Sequence, residues 1–219
     1  MSTPGPHNVV IIAQNSNPSI FTQLWLCENG IFSRAEVESN FVFTPMAVSL
    51  TTQDISFLSL PDRIQLGFMR PPAAYQELIN RTMVRIVTLL PHIPFKAIGF
   101  NLLWNVVPRN QEKYAGILRR LFLSPDNPLG RYFREEDCRF GSYLSKNYEY
   151  GRLRIEVKPV FLPNAEGRSI EGLQLIFNFN RDLQEVDRPR QMLDFLASWD
   201  TSHSMALDMV NSIGSGWSE

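Results

Sequence analysis

The chain has 219 residues, 44% of them apolar and 20% charged, with 15 Pro and 12 Gly, which excludes a disordered, collagen-like or low-complexity polymer. Its 21 Lys and Arg against 22 Asp and Glu give a formal net charge of -1, so no global field draws in DNA, RNA or an anionic bilayer. The apolar run nearest the start, Val9 to Ala13, is far short of the roughly 20 residues a bilayer span needs, and no basic start or signal-peptide core precedes it. The expectation is a soluble, cytoplasmic protein without a membrane partner.

Apolar periodicity predicts alternating strands and helices. Asn8 to Ala13 reads as a short apolar strand, and Pro18 to Cys27 as a short helix ended by Asn29-Gly30. Residues 39–50 alternate, with Val42, Met46, Val48 and Leu50 on one side, and two strands follow at 55–60 and 63–69 around the Pro61-Asp62 turn. A helix over 72–90 carries the stripe Tyr75, Leu78, Ile79, Met83, Ile86, Leu89 and Leu90, and Pro91 and Pro94 end it.

The order then recurs. Phe95 to Val107 is a long strand with Ile98, Phe100, Leu102, Trp104 and Val106 on one face, followed by a helix marked by Tyr114, Ile117, Leu118, Leu121 and Phe122. After the mixed-charge loop Arg131 to Asp137 come strands at about 138–146, 150–161 and 170–181. Leu153, Ile155, Val157 and Phe161 mark the core face of the middle one; Leu173, Leu175, Phe177 and Phe179 mark that of the last. A closing helix runs over 188–213 with Asp187 as N-cap, and Ser215 to Glu219 is expected to fray.

The fold expected is therefore α+β: two βαβββα units with mainly antiparallel sheets and long helices packed on one face. The first unit covers 1–93, the second 94–214, with a tail at 215–219. The repetition is one of layout, not of residue identity.

Common chemistries find no footing in the sequence. His7, His92 and His203 fall in a tail, a Pro-flanked helix end and the last helix, without zinc spacing. Cys27 and Cys138 are too few and too far apart for a disulfide scaffold and read as reduced core thiols. Neither phosphate-binding glycine motif occurs, and Glu135-Glu136-Asp137, flanked by Arg131, Arg134 and Arg139, reads as a self-compensating solvated loop. No catalytic residue, metal or cofactor is expected.

What remains is the polar side of the sheet. With the apolar faces turned to the helices, Arg63 and Gln65, Asn101 and Asn105, Arg152 and Arg154, and Gln174, Asn178 and Asn180 project from the opposite side. Alternate residues on one strand lie about 7 Å apart, so Arg152 and Arg154 can reach one ligand and grip a carboxylate or phosphate through paired hydrogen bonds. The competing account is an ordinary wet face of an antiparallel sheet.

Three stretches also carry a resemblance: Ile55-Ser56-Phe57-Leu58-Ser59-Leu60-Pro61-Asp62-Arg63-Ile64-Gln65-Leu66, the passage ending Ala97-Ile98-Gly99-Phe100-Asn101, and Leu193-Asp194-Phe195-Leu196-Ala197-Ser198-Trp199. Their order and spacing resemble a sporadically distributed prokaryotic family of about this length, known mainly as uncharacterised proteins. Its members tend to place Arg-Tyr and an Asn after the glycine, where this chain has Phe100-Asn101-Leu102-Leu103-Trp104-Asn105. The resemblance implies a non-enzymatic, accessory or defence-associated role and carries over no site residue.

The functional expectation is a binding or regulatory module. Its partner is another protein or a second copy; nucleic acid is less favoured because the phosphate-driven term would rest on one small patch. The alternatives are a hydrolase whose site assembles from distant residues and a single-stranded nucleic-acid binder.

Overall fold

Alternation with a period of two builds one sheet, which the computed structural model describes over residues 2–69, 75–108, 114–163 and 167–215. Its strands are β1 (Ser2–Pro4), β2 (His7–Ala13), β3 (Phe41–Thr44), β4 (Ala47–Thr51), β5 (Ile55–Leu60), β6 (Arg63–Phe68), β7 (Phe95–Val106), β8 (Ser142–Tyr148), β9 (Gly151–Pro163) and β10 (Ser169–Asp182). They follow the order β3-β4-β5-β6-β2-β7-β10-β9-β8, all antiparallel, with β1 continuing along β7 beyond β2. In the first half β2 pairs with β6, in the second β7 pairs with β10, and from each of these pairs the remaining strands of the half step outward, β1 excepted. The halves meet edge to edge where β2 pairs with β7, across the boundary expected at 93–94.

The core follows from the register. Leu50, Phe57, Leu66, Val9, Phe100, Phe179 and Leu153 stand side by side across seven strands, and every one is fully or almost fully buried. Helices cover this side. The short α1 (Gln23–Glu28) and α2 (Arg34–Ser39) bring Phe21 and Phe32 against Phe57, both at 5.6 Å between ring centres. Gly30, at φ 61, lets the chain turn out of α1, and Ser33 and Glu36 close a reciprocal cap on α2. Next come α3 (Tyr75–Ile79), a π-helical turn (Asn80–Val84) and α4 (Arg85–Leu89). After α5 (Tyr114–Phe122), the chain ends in α6 (Arg188–Ala197) and α7 (Trp199–Ser215). Phe195 and Trp199 lie over Phe100, at 4.4 and 4.9 Å.

Several local expectations change. Residues 39–50 are not one strand: β3 and β4 form a tight hairpin, which leaves Val42 and Met46 exposed. The closing helix is broken at Ser198, whose hydroxyl donates to the Phe195 carbonyl at 2.7 Å and takes an acceptor from the helical ladder. Asp187 stands at the cap position in a left-handed conformation and makes no capping bond. Gln191 reaches back instead, accepting from the Gln184 N–H and donating to the Val186 carbonyl.

Leu89, Leu121 and Phe161 leave the core stripes; Phe161, at 72% exposure, sits near the end of β9. Both cysteines are free thiols and half-buried: Cys27 packs against the core, whereas Cys138 lies outside it and donates to Glu135. The expected start of the third helix at 72–74 and the tail after Ser215 lie outside the described residues. Among the described residues no helix is long and apolar enough to cross a membrane.

Candidate functional site

Residues between the core positions point away from the helices. One row across the sheet reads Val42, Ser49, Leu58, Gln65, Val10, Gly99, Asn180, Arg152 and Asn147. The adjacent row reads Thr51, Ser56, Gly67, Asn8, Asn101, Asn178, Arg154 and Ser145. Chain alternation alone puts these side chains on the face opposite Phe100 and its neighbours.

The central amides satisfy one another. Asn101 Nδ2 donates to Asn8 Oδ1 at 2.8 Å, Asn178 Nδ2 to Asn101 Oδ1 at 2.7 Å, and Asn180 Nδ2 to Asn178 Oδ1 at 2.6 Å. All four are half-buried by their neighbours. Such a ladder fixes each amide's orientation and leaves one N–H on each donor nitrogen for an incoming group.

The arginines are exposed beside this ladder. Arg152 donates to Asn147 Oδ1 at 3.2 Å, a neutral acceptor. Arg154 lies between Asn178 and Ser145 and, among the described residues, makes no ion pair or side-chain hydrogen bond. The acid on the same strand face, Glu156, is taken by Lys158 at 3.6 Å. The centre of the face is therefore neutral amide, and its β9 flank carries two guanidinium groups that hold no acid among the described residues.

Of the expected residues, Asn101, Asn178, Asn180, Arg152 and Arg154 come together in one patch. Asn105 receives Gln174 Nε2 at 3.4 Å, two rows away from Asn101 along β7. Gln65 stands three strands from Asn180, about 14 Å at ordinary strand spacing. Arg63 lies four strands from Arg152, about 19 Å, and holds Asp62 through two hydrogen bonds, so neither joins the patch. Asn8 was missed, because 8–13 reads as uniformly apolar; its parity, opposite to Val9 and Ile11, was the available signal.

A second cluster lies on the helix side. His7 is not in a tail: β2 pairs with both β6 and β7, and His7 is 2% exposed. Its ring stands 4.5 Å from Trp104, 5.6 Å from His203 and 6.0 Å from Tyr75. Nδ1 accepts the Leu103 N–H at 3.3 Å, while Nε2 is buried with no partner among the described residues. Burial holds its pKa down to about 4, with the Pro6 carbonyl opposing and His203 adding to the depression. Burial lowers His203 too, against the pull of Asp200.

The shallow concavity along α7, lined by Asp200, Thr201, Ser204 and Met205, does not include His203, and His92 is an exposed turn residue. No group of three or more His, Cys, Asp or Glu converges as a metal site among the described residues. Compared with known proteins, the chain matches no protein family and no curated sequence.

Proposed function

We propose that the protein is a binding module that docks another protein on its open sheet face, with Arg152 and Arg154 taking carboxylates of the partner. The observation that carries this reading is Arg154: it stands exposed on β9, the strand next to the sheet edge, beside Arg152 and with neutral neighbours on both flanking strands. A guanidinium there gains more from a carboxylate than from water when a partner covers the face. The amide ladder supplies uncharged donors of fixed direction beside it. Net charge near zero favours a protein over a nucleic-acid strand, whose affinity needs many phosphate contacts.

A photo-activated cross-linking residue in place of Ser145, beside Arg154, tests it against the same residue in place of Asp208 on α7. The expected result is a heterologous protein adduct from position 145 alone, lost when Arg152 and Arg154 are both Ala. Adducts that persist in that variant, or adducts only between copies of the chain, overturn the reading.

A further inference from the structure

The two edges of the sheet differ in how they are guarded. Among the described residues no strand lies beyond β3 at one end or beyond β8 at the other. β8 carries Lys146, with Arg152 and Arg154 on the strand beside it, charges of the kind that keep a second strand off an edge. β3 has no such guard: from Ser39 to Gln53 the sequence holds no charged residue, and Pro45 falls in the turn between β3 and β4. Val42 is 58% exposed on the open side and Phe43 45% exposed on the helix side, so apolar surface flanks the bare edge on both sides.

The register decides which backbone groups of β3 are free. Thr44 and Ala47 close a two-residue turn, and the Thr51 N–H donates to the Asn40 carbonyl at 3.2 Å, so Asn40, Val42 and Thr44 are the residues bonded to β4. The N–H and C=O of Phe41 and Phe43 therefore point away from the sheet. Two such residues, one apart, are what an antiparallel partner strand pairs with. Phe41 of one copy can face Phe43 of a second across a two-fold axis through Val42, each pair exchanging both N–H···O bonds. In that register Val42 meets Val42 of the second copy at a position without hydrogen bonds, where side chains approach closest. The Phe41 and Phe43 rings, already stacked at 6.4 Å, meet their counterparts on the other side.

We propose that two copies of this chain join β3 to β3, antiparallel about Val42, into one continuous sheet. A second copy is the occupant because the strand complements itself in backbone groups and in side chains, and with no charge on it or on β4 a charged segment gains nothing there. The pairing uses up β3 in both copies and leaves outermost only the edges that carry Lys146, so it closes at two. β3 has 4 residues, and an edge contact of that length falls short of the roughly 1,200–2,000 Å2 of a stable interface, which makes the dimer weak and dependent on concentration. β3 and β8 stand at opposite ends of the sheet, so the pairing neither needs nor blocks docking at Arg152 and Arg154.

Sedimentation equilibrium of the full chain tests the proposal. The average mass should rise toward twice the 25.2 kDa of one chain as concentration increases from about 1 to about 300 μM. Val42→Lys and Val42→Glu, each at an exposed position, should raise the dissociation constant at least about 10-fold by setting like charges face to face, and an equimolar mixture of the two should restore pairing. Should either variant fail to fold, the unmodified chain serves: the Phe41 and Phe43 amides must exchange hydrogen more slowly at the higher concentration. A mass that stays at one chain or climbs past two, a folded variant that pairs as before, a mixture that does not pair, or exchange independent of concentration overturns the proposal.

Discussion

Phe100 and Asn101 are neighbours on β7 and opposites in environment. Phe100 is fully buried under Phe195 and Trp199, in a row of apolar side chains seven strands wide. Asn101 is half-buried between two other amides on the uncovered side. One side of the sheet holds the fold by removing apolar area from water; the other contributes little to stability, and its amides point in fixed directions.

The largest separation between the two sides is expected from single truncations. Phe100→Ala removes a filled ring position beneath two aromatic neighbours and is expected to cost about 3–5 kcal/mol. Asn101→Ala, one residue on, leaves partly solvated amides able to find water and is expected to cost about 1 kcal/mol. Urea unfolding curves of the two variants check this, and equal costs would mean that the open side is also core.

Next in size is a dependence on pH that belongs to the covered side alone. The folded pKa of His7, about 4, lies below the ordinary 6.5, so the unfolded chain takes the proton first as pH falls. The stability concerned is fully present above about pH 6.5 and is lost as pH drops toward 4, by roughly 2–3 kcal/mol between those limits. His203, lowered by the same burial, acts in the same direction. Tyr75, Trp104 and Phe68 place no charge beside the two rings; Asp200 on α7 is the acid that opposes the shift. Glu36 and Glu135, held below their usual range, add acid sensitivity only at lower pH. Unfolding midpoints measured from pH 7 to 5 should therefore flatten in His7→Gln, while Asn101→Ala keeps the slope of the unmodified chain.

Within the open side, the ladder makes its own prediction. Asn101 and Asn178 share a hydrogen bond at 2.7 Å, so a double-mutant cycle of Asn101→Ala and Asn178→Ala should show coupling of about 0.5–1 kcal/mol. Asn105 lies outside the chain of bonds and pairs with Gln174 instead, so Asn105→Ala combined with Asn178→Ala should be additive.

How far the sequence foretold these sides depends on how local the signal is. Leu153, Ile155 and Val157 against Arg152, Arg154 and Glu156 is a period-two pattern carried by six consecutive residues, and the sheet reproduces it. Phe161 continues the pattern but lies near the end of β9, and only the tertiary structure shows it outside the buried core. His7 shares the parity of Val9 and Ile11, but a histidine at the start of the strand does not read as core; its burial is produced by β7 on one side, β6 on the other and α7 above. The break at Ser198 involves neither Gly nor Pro, and it depends on a hydroxyl choosing a carbonyl three residues back.

The smallest expected change in stability is the most informative about function. Arg152 and Arg154 are exposed, neither holds an acid among the described residues, and the apolar parts of β9 that anchor the strand, Leu153 and Ile155, face the other way. Replacing both arginines with Ala should therefore leave the unfolding midpoint within about 0.5 kcal/mol of the unmodified chain. If these residues served the fold, through a pairing across β8 or β10, the loss would exceed that and would be accompanied by a change in the pairing of Asn147 or Asn178. Unchanged stability together with loss of the adduct from position 145 assigns the two arginines to recognition. Unchanged stability with the adduct intact makes the face an ordinary wet surface and removes the proposed docking site.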